Sequence, residues 1–373
     1  MAISLPQALA FRLDRQHLLA QAPDMLTVAG TLLGAQAQVH SAAILQLRAR
    51  TGALADAEVA GALHDSRGLV KLWAQRSTLH LVPTADLGDL LALRRLKQPE
   101  YHAWYSREGL PPERVAVLID AVVQALADGP HSRMDLSRRL VPQLGDWAQP
   151  WLEHSWGGVL KLASAMGHLC HGPPRPDDNE AAFVGLPAWL GQAPVVPADS
   201  AHGVANFLRR YLAAYGPATP SDFRKFAGIP AGPCRQAFRD LAGELLAVEL
   251  DGRPAYALAR DEEALQQAEM PAGHLAVLPL FDPWLLAHAD TAQVVDARHR
   301  TAIYRQAGWI SAVVLRQGRV AATWTHRRLA AKGQPVWEVE LAPLGRLTKA
   351  ERRVVLGRLR HLSGGLDVRY AGG

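Results

Sequence analysis

The sequence contains very little cysteine and no long apolar run. Only Cys170 and Cys234 occur among 373 residues, too few for a disulfide framework, so we expect a reducing compartment. No run of about 18 uninterrupted apolar residues is available to span a membrane. The opening MAISLPQALAFRLDRQ has neither the basic start nor the apolar centre of a signal peptide. We therefore expect a cytoplasmic protein with no membrane partner.

Common catalytic motifs are also missing. There is no Gly-rich phosphate loop, no HExxH and no GxSxG. The densest cluster of ligand-type side chains is HLCH, with His168, Cys170 and His171. No second pair stands at ligand spacing, so we expect neither a metal nor a cofactor.

The charge of the chain is small in total but unevenly distributed. The formal net charge is +5, yet residues 299–373 hold 14 Lys and Arg against 4 Asp and Glu, whereas residues 1–298 hold 26 against 31. A basic end favours a polyanionic partner, and nucleic acid more readily than membrane, because no amphipathic apolar face accompanies it. A solvated basic surface is the alternative.

Three segments share one plan, in which short amphipathic helices precede a two-stranded ribbon. In the first, SAAILQLRAR and DAEVAGALHD have helical spacing, and GLVKLWAQRSTLHLVP alternates like a hairpin that ends at Pro83. In the second, PPERVAVLIDAVVQALADG, SRMDLSRRL and SWGGVLKLASAMGHLCHG lead to a return strand at EAAFVGL, after a plain loop at PPRPDDN.

The third segment has the clearest pattern. AHGVANFLRRYLAAYG, TPSDFRKFAG (capped by Thr219 or Ser221) and PAGPCRQAFRDLAGEL predict helices, and LLAVELDGRPAYALA predicts two strands around an Asp-Gly turn. Helices followed by a hairpin are the winged-helix arrangement, and its recurrence about every 80 residues suggests a tandem.

From about His274 the pattern becomes that of a sheet. HLAVLPLFDPWLL, GWISAVVLRQGRVAATWTH and PVWEVELAPL predict strands, with turns at Gln317-Gly318 and Lys332-Gly333, and a final helix begins at Thr348 and ends at a Gly pair. The prediction is an α+β fold with three tandem winged-helix modules and a basic, β-rich C-terminal domain that carries a terminal helix. The predicted boundaries are 1–109 with an N-terminal extension, 110–198, 199–270 and 271–373.

Four stretches together resemble the AlkZ-like DNA glycosylases, a winged-helix family that includes the AlkX (YcaQ) branch. They are LLGAQAQVHSAAILQLRAR, LVKLWAQRSTLHLVP, LPLFDPWLLAHAD and GWISAVVLRQGRVAATW, in the family's order over most of the chain. The resemblance implies tandem winged helices, a C-terminal β domain and a catalytic Gln-aliphatic-Gln motif, here Gln36, Ala37 and Gln38. It also implies hydrolysis of the N-glycosidic bond of N7-alkylated purines, bulky adducts and interstrand crosslinks included.

Glutamine chemistry limits what such a motif can do. A glutamine amide donates and accepts hydrogen bonds but cannot act as a general base near neutral pH. An N7-alkylated purine is already cationic and leaves as a neutral base, so a site that holds water and sugar in register suffices. Residues i and i+2 diverge on a helix and share a face in an extended segment. Gly34, with a helix start near His40 or Ser41, therefore predicts a non-helical segment on which Gln36 and Gln38 face one cleft. The alternative is two polar residues of an amphipathic helix.

The second stretch contains three candidate DNA-binding residues on the presumed first wing, namely Arg76, Thr78 and His80. Strand alternation predicts that they share one face, opposite Leu79 and Leu81. This face is predicted to contact phosphate or close the site; an exposed polar face is the alternative, and His80 is equally compatible with a core histidine bonded to backbone. Ser77 stands where the family tends to have Gly.

The C-terminal part offers two carboxylates and several cations. Asp282, before Pro283, is predicted to fix a turn, and Asp290 is the nearby carboxylate that we consider for electrostatic support of a cationic substrate. The family usually has Arg after this second Asp, whereas this chain has Thr291. The predicted phosphate contacts are Arg300, Arg305, Arg327, Arg328 and Lys332. Contacts with phosphate give affinity for DNA of any base sequence.

Two functions follow from these features. The first is a monofunctional DNA glycosylase acting as a monomer on double-stranded DNA with alkylated purines, nucleoid-associated in a bacterium; no lysine stands beside the Gln-Ala-Gln motif for Schiff-base chemistry. The second is a non-catalytic winged-helix DNA-binding protein or transcription regulator. Three modules and a recognition-helix candidate sparse in Arg, Asn and Gln favour the enzyme.

Overall fold

The computed structural model describes residues 1–174, 181–331 and 334–371. The α-helices in these ranges are α1 Leu5–Arg15, α2 Met25–Thr31, α3 His40–Arg48, α4 Asp56–His64, α5 Leu87–Arg95, α6 Gln98–Arg107, α7 Pro112–Ala125, α8 Arg133–Leu144, α9 Gln149–Leu152, α10 Gly158–Ala165, α11 Leu186–Leu190, α12 Ser200–Tyr215, α13 Pro220–Ala227, α14 Ala231–Asp240, α15 Glu262–Gln266, α16 Pro283–Leu286, α17 Arg300–Ile303 and α18 Lys349–Leu362. Within the described ranges, no helix has the length and apolar character needed to cross a membrane.

The strands in the same ranges are β1 Ala2–Ile3, β2 Ala35–Gln36, β3 Leu69–Trp73, β4 Leu79–Pro83, β5 His131–Ser132, β6 Leu169–His171, β7 Ala182–Gly185, β8 Leu245–Leu250, β9 Arg253–Leu258, β10 Leu275–Leu278, β11 Val313–Arg316, β12 Arg319–Ala331, β13 Gln334–Pro343 and β14 Asp367–Tyr370. The chain folds into two units: one contains Met1–Val59, Leu208–Phe226 and Phe238–Gly373, and the other Ala60–Phe207 and Ala227–Ala237. We call them the terminal unit and the central unit.

A five-stranded sheet, ordered β10-β11-β12-β13-β14, forms the core of the terminal unit. Strand alternation along β10 sends Ala276 and Leu278 to one apolar cluster, where they meet Leu9 and Leu13 of α1. Leu275 and Val277 point the other way, toward the apolar side of α18. Helices therefore cover both faces of this sheet, which is why β10 is buried along its whole length.

A second sheet in the terminal unit joins its first strand to a hairpin far along the chain. The predicted hairpin β8–β9 forms around Asp251-Gly252, whose φ angles of 46° and 78° match a two-residue hairpin turn. Its other neighbour is β1, which pairs with β8 in parallel through Ala2 and Glu249. This long-range pairing was not predicted.

The central unit contains the other predicted ribbons. Its strands run in the order β4-β3-β6-β7-β5, and their neighbours pair antiparallel. One apolar cluster contains α7, α8 and α10 together with Trp73 of β3. The predicted helix of 111–129 is confirmed as α7. The next two segments, 132–140 and 155–172, overlap α8 and α10, and the second of them ends in β6. The connection predicted at PPRPDDN lies largely outside the described residues.

The mixed α and β architecture is confirmed. The number of winged-helix modules and the four boundaries remain predictions, and neither unit coincides with one of the four segments. The physical reason is the N-terminal extension, because β1 and α1 contribute to the sheet and core of the strands that follow residue 244.

Candidate active site

The two glutamines of the Gln-Ala-Gln motif lie on a short non-helical segment. Helix α2 ends at Thr31, and Leu33 and Gly34 then adopt left-handed φ angles of 58° and 105°. The Gly34 N–H donates to the Ala29 carbonyl at 2.8 Å, which closes the helix end. Gln36 belongs to the two-residue strand β2, and α3 begins at His40. The predicted non-helical segment and helix start are confirmed.

The backbone of Gln36 is held by the side chain of Gln46, from α3. The Gln36 N–H donates to Gln46 Oε1 at 3.0 Å, and Gln46 Nε2 donates to the Gln36 carbonyl at 3.0 Å. Gln46 Nε2 also lies 3.3 Å from the Leu280 carbonyl. The Gln46 side-chain amide thus pairs with the Gln36 backbone as a neighbouring β-strand would. Because Gln46 is completely buried, this contact fixes the height and direction of the segment.

A buried ion pair supports Gln46 in turn. Arg50 lies one turn further along the chain, and its Nη1 donates to the Gln46 carbonyl at 3.2 Å. The two guanidinium nitrogens Nη1 and Nη2 each lie 2.8 Å from one oxygen of Asp282, and both side chains are 0% exposed. Asp282 also accepts from Trp284 N–H at 3.0 Å at the start of α16. The prediction that Asp282 fixes a turn is confirmed.

This contact connects two of the sequence stretches that carried the resemblance. QAQ and FDPWLL lie more than 240 residues apart, yet Gln46, Arg50 and Asp282 join them through hydrogen bonds. Gln46 and Arg50 were not singled out from the sequence. The sequence signal available was the polar residues within the mainly apolar AAILQLRAR, where Gln46 and Arg50 stand four positions apart, as residues on one helix face do.

The two motif glutamines differ in exposure. Gln36 is 5% exposed, whereas Gln38, at a bend before α3, is exposed. The first residue therefore anchors the segment in the protein, and the second lies at the surface. Whether both amides face one cleft remains a prediction.

The first wing differs from the strand that alternation predicted. Arg76 and Ser77 form a turn between β3 and β4 with left-handed φ angles of 53° and 60°, and only His80 lies within a strand. The prediction of one strand face shared by Arg76, Thr78 and His80 is wrong, because the turn interrupts the alternation. Arg76 and Thr78 are half-buried, and their proposed contact with DNA remains a prediction.

His80 has the environment of a core histidine. Its side chain is 2% exposed, and Nδ1 lies 2.9 Å from the Thr78 carbonyl. Burial, with Arg76 as a second cause, lowers the pKa of His80 to about 3. His80 therefore has a neutral ring that donates to a backbone carbonyl, as the core-histidine alternative predicts. In this conformation the ring has almost no surface to offer a phosphate.

Ser77 combines a left-handed backbone with two hydrogen bonds at its hydroxyl. A φ of 60° suits glycine better than serine. The serine hydroxyl accepts from the Tyr101 hydroxyl at 2.6 Å and from Arg94 Nη2 at 3.0 Å. The hydrogen bonds offset the backbone strain.

Asp290 is engaged by groups of its own unit. Its carboxylate accepts from Arg253 Nη1 and from the Ala292 N–H, both at 2.9 Å. The aspartate therefore has an arginine partner, although Thr291 replaces the family's neighbouring Arg. Its electrostatic role toward a substrate remains a prediction.

The predicted phosphate contacts belong to the terminal unit. Arg300 and Arg305 are exposed around α17, and Arg327 and Arg328 are exposed on β12. Arg327 lies 3.9 Å from Glu338 across the strand pair. Lys332 lies outside the described residues. The exposure of the four arginines is compatible with a DNA-binding surface.

Among the described residues, no group of three or more His, Cys, Asp and Glu side chains is arranged to hold a metal ion. The arrangement around Gln36 instead offers amides and backbone groups. Such groups can orient a water molecule and a sugar but cannot accept a proton permanently.

Each of three comparisons with known proteins finds a match. A family model described as DNA glycosylase AlkZ-like matches residues 29–363. An interstrand DNA cross-link repair glycosylase of Streptomyces sahachiroi is 35% identical over 341 residues, which cover 87% of this chain and 88% of that protein. The solved structure of Streptomyces sahachiroi DNA glycosylase AlkZ is 30% identical, with a TM-score of 0.85 and complete coverage of both chains.

Proposed function

The chain belongs to the AlkZ-like DNA glycosylase family and is a hydrolase of N-glycosyl bonds, and we propose that it excises N7-alkylated purines, with Gln36 and Gln38 positioning the water and the sugar. The observation that carries this proposal is the fixed, non-helical backbone at Gln36, held by Gln46 at two 3.0 Å hydrogen bonds. Family membership also decides against the non-catalytic regulator.

The chemistry needs little from the protein because the substrate is activated in advance. As the C1′–N9 bond breaks, its electron pair passes to the purine and neutralises the positive charge of the alkylated ring. Water then bonds to C1′ and releases a proton to solvent. The protein has to place water and sugar correctly, and a misplacement of about 1 Å is enough to cost about 100-fold in rate.

Two amides are suited to that task. Each has an oxygen that accepts a hydrogen bond from water and an NH₂ group that donates to sugar or phosphate oxygens. Neither amide titrates near neutral pH, so neither can protonate a normal purine as a leaving group. Unmodified adenine and guanine are therefore spared.

The exposure of Gln38 bears on the range of substrates that the site accepts. Gln38 is exposed, which supports an open site rather than a sealed pocket. An open site accepts bulky N7 adducts and interstrand crosslinks, and the name of the Streptomyces relative states interstrand cross-link repair for that protein. We extend this substrate class to the present chain.

The test uses a DNA duplex with one N7-methylguanine, incubated with the protein and then heated in alkali. We expect strand cleavage at the lesion, and none without alkali, because a monofunctional enzyme leaves an intact abasic site. Gln36→Ala and Gln38→Ala should each lower the single-turnover rate at least tenfold. Gln267→Ala, at the exposed glutamine that follows α15, is the matched control.

Two results contradict the proposal in different ways. Full activity of the double variant Gln36→Ala, Gln38→Ala refutes the assigned residues. Excision of other damaged bases but of no N7 adduct refutes the substrate class while leaving the glycosylase activity intact.

A further inference from the structure

A cavity of about 550 Å³ lies in the central unit, away from the Gln-Ala-Gln segment in sequence. Residues from the first wing, α6 and the turn before α10 line it. Those used below are Ser77, Tyr101, Trp104, Arg107, Trp156 and Lys161. Its size is within the range of roughly 300–1,000 Å³ that is typical of sites for small organic groups.

Trp156 stands at this cavity with 68% of its surface exposed. The indole therefore has a large apolar surface available beside the cavity. The turn that follows Trp156 requires glycine. Gly157 and Gly158 have φ angles of 101° and 43°, and a Cβ at Gly158 would lie 2.1 Å from the Trp151 carbonyl oxygen. Only glycine fits there, so Trp156 projects from a defined turn.

Trp104 provides a second aromatic wall. Its ring meets Tyr105, Trp151 and His154 edge-on, with centroid distances of 5.0, 6.0 and 5.8 Å. The Tyr105 hydroxyl donates to the Gly158 carbonyl at 2.8 Å. These contacts tie the aromatic cluster to the glycine turn and make the wall rigid.

The cavity also has excess positive charge. Lys97 is paired with Glu100, but Arg107 is exposed and Lys161 is half-buried, and no carboxylate lies within ion-pair distance of either in the part of the chain that the structure describes. Beneath them lies Arg94, completely buried. Within the described ranges, its guanidinium bonds only to the hydroxyls of Ser77 and Tyr101.

Arg94 is attracted to Glu100, but that carboxylate is itself paired with Lys97, and Lys161 has no ion-pair partner among the described residues. Arg94 Nε and Nη1 have no hydrogen-bond partner among the described residues. Burial, and then Arg94, lowers the pKa of Lys161. An anion in the cavity offsets this repulsion, and an aromatic ring beside it covers Trp156. One chemical group with both properties is a nucleotide.

We propose that the cavity between Trp104, Trp156 and Lys161 binds one unstacked nucleotide of a DNA strand, its base against the tryptophans and its phosphate at Lys161 and Arg107. Base stacking on aromatic side chains combined with a basic groove is the general mode of single-strand binding. The inference depends on DNA being the partner of a glycosylase, and not on the roles proposed for Gln36 and Gln38.

The test measures binding of the full chain to an eight-residue oligothymidylate and to an abasic oligomer of the same length and charge. The wild-type protein should bind the thymidylate at least tenfold more tightly. Trp156→Ala should abolish this preference and leave abasic binding unchanged. Since Trp156 is exposed, the variant should keep its thermal midpoint, which confirms that it is folded.

Lys161→Gln tests the phosphate contact. It should weaken both oligomers alike and reduce the slope of log affinity against log salt by about 0.7, as loss of one single-strand phosphate contact does. Lys349→Gln removes the same charge from an exposed lysine outside the cavity and should change neither oligomer's binding more than twofold.

Crosslinking locates the base directly. Ultraviolet irradiation of an oligomer with one 5-iododeoxyuridine should attach it to Trp156, Trp104 or Tyr101. Crosslinks only elsewhere, or a base preference that survives Trp156→Ala, overturn the proposal. Complete displacement by an equimolar amount of free thymidine monophosphate overturns the assignment to a DNA strand and makes the cavity a site for a free nucleotide.

Discussion

Arg50 in the terminal unit and Arg94 in the central unit are both completely buried, but their charges are met differently. Arg50 has Asp282 as a two-point partner at 2.8 Å. Arg94 has two hydroxyls and, among the described residues, no carboxylate at ion-pair distance. The pair at Arg50 is electrically neutral and holds the backbone of the proposed catalytic segment. The unpaired Arg94 instead makes its surroundings attractive to an anion.

The same substitution at the two arginines should therefore have very different effects. Arg50→Met leaves Asp282 as an uncompensated buried charge and should lower the free energy of unfolding by about 3–5 kcal/mol. Arg94→Met removes an unpaired cation, and Tyr101 still donates to Ser77, so the change should stay within about 1 kcal/mol. Urea unfolding of both variants measures the difference. An equal loss in the two variants would break the comparison.

Acid should destabilise both units, each through one buried histidine. Burial lowers the pKa of His80 and of His288 to about 3; Arg76 and Arg94 add to the effect at His80, whereas at His288 the Asp222 carboxylate partly opposes Arg12. Both histidines bind protons more readily when unfolded. Their contribution to stability is present above about pH 6.5 and is lost as the pH falls toward 3.

The expected loss is about 1.4 kcal/mol per pH unit for each histidine. Between pH 7.5 and pH 5.5 the two histidines together should thus lower the free energy of unfolding by roughly 3 kcal/mol. Unfolding free energies at several pH values measure it, and His80→Gln should lower the slope by about one proton. A slope unchanged in that variant would show that His80 is protonated or exposed in the native state.

The contact of Gln46 with the Gln36 backbone, which Arg50 supports, predicts an effect on the rate of base excision. Gln46→Met keeps the volume but removes both hydrogen bonds to the Gln36 backbone, so the segment should shift. We expect the single-turnover rate on an N7-methylguanine duplex to fall about 10-fold to 100-fold, with DNA affinity within twofold of wild type. Equal losses in rate and affinity would instead indicate general unfolding of the unit.

The hydrogen bonds that Ser77 accepts from Tyr101 and Arg94 predict a smaller effect on stability. Ser77→Ala keeps the left-handed φ of 60° and loses the acceptor of Tyr101 and Arg94, so unfolding should become easier by about 1–3 kcal/mol. Ser77→Gly loses the same hydrogen bonds but relieves the backbone, and should be more stable than Ser77→Ala by about 1 kcal/mol. The reverse order would mean that the turn is not strained.

Local signals in the sequence predicted the local structure well. Asp251-Gly252 and Gln317-Gly318 both have the left-handed φ angles of a two-residue hairpin turn. Thr348 and Glu351 form the capping box that begins α18. Each of these features depends on residues only a few positions apart, whose preferences the sequence displays directly.

Long-range contacts were not predictable in the same way. The parallel pairing of β1 with β8, the contact of Gln46 with Leu280 and the ion pair of Arg50 with Asp282 each join residues more than 200 positions apart. No local preference specifies such a partner. For the candidate site, the sequence therefore predicted the glutamines and their extended backbone but not the side chains that hold them.

The central claim is that Gln36 and Gln38 act by positioning and that no side chain serves as a titrating base. The most direct measurement is the single-turnover rate on an N7-methylguanine duplex from pH 6.5 to 8.5, divided by the spontaneous depurination rate of the same duplex at each pH. A glutamine site predicts a constant ratio, since amides do not titrate in this range. A ratio that changes tenfold per pH unit on one side of an inflection would contradict the account, because it would require a carboxylate or histidine as the base.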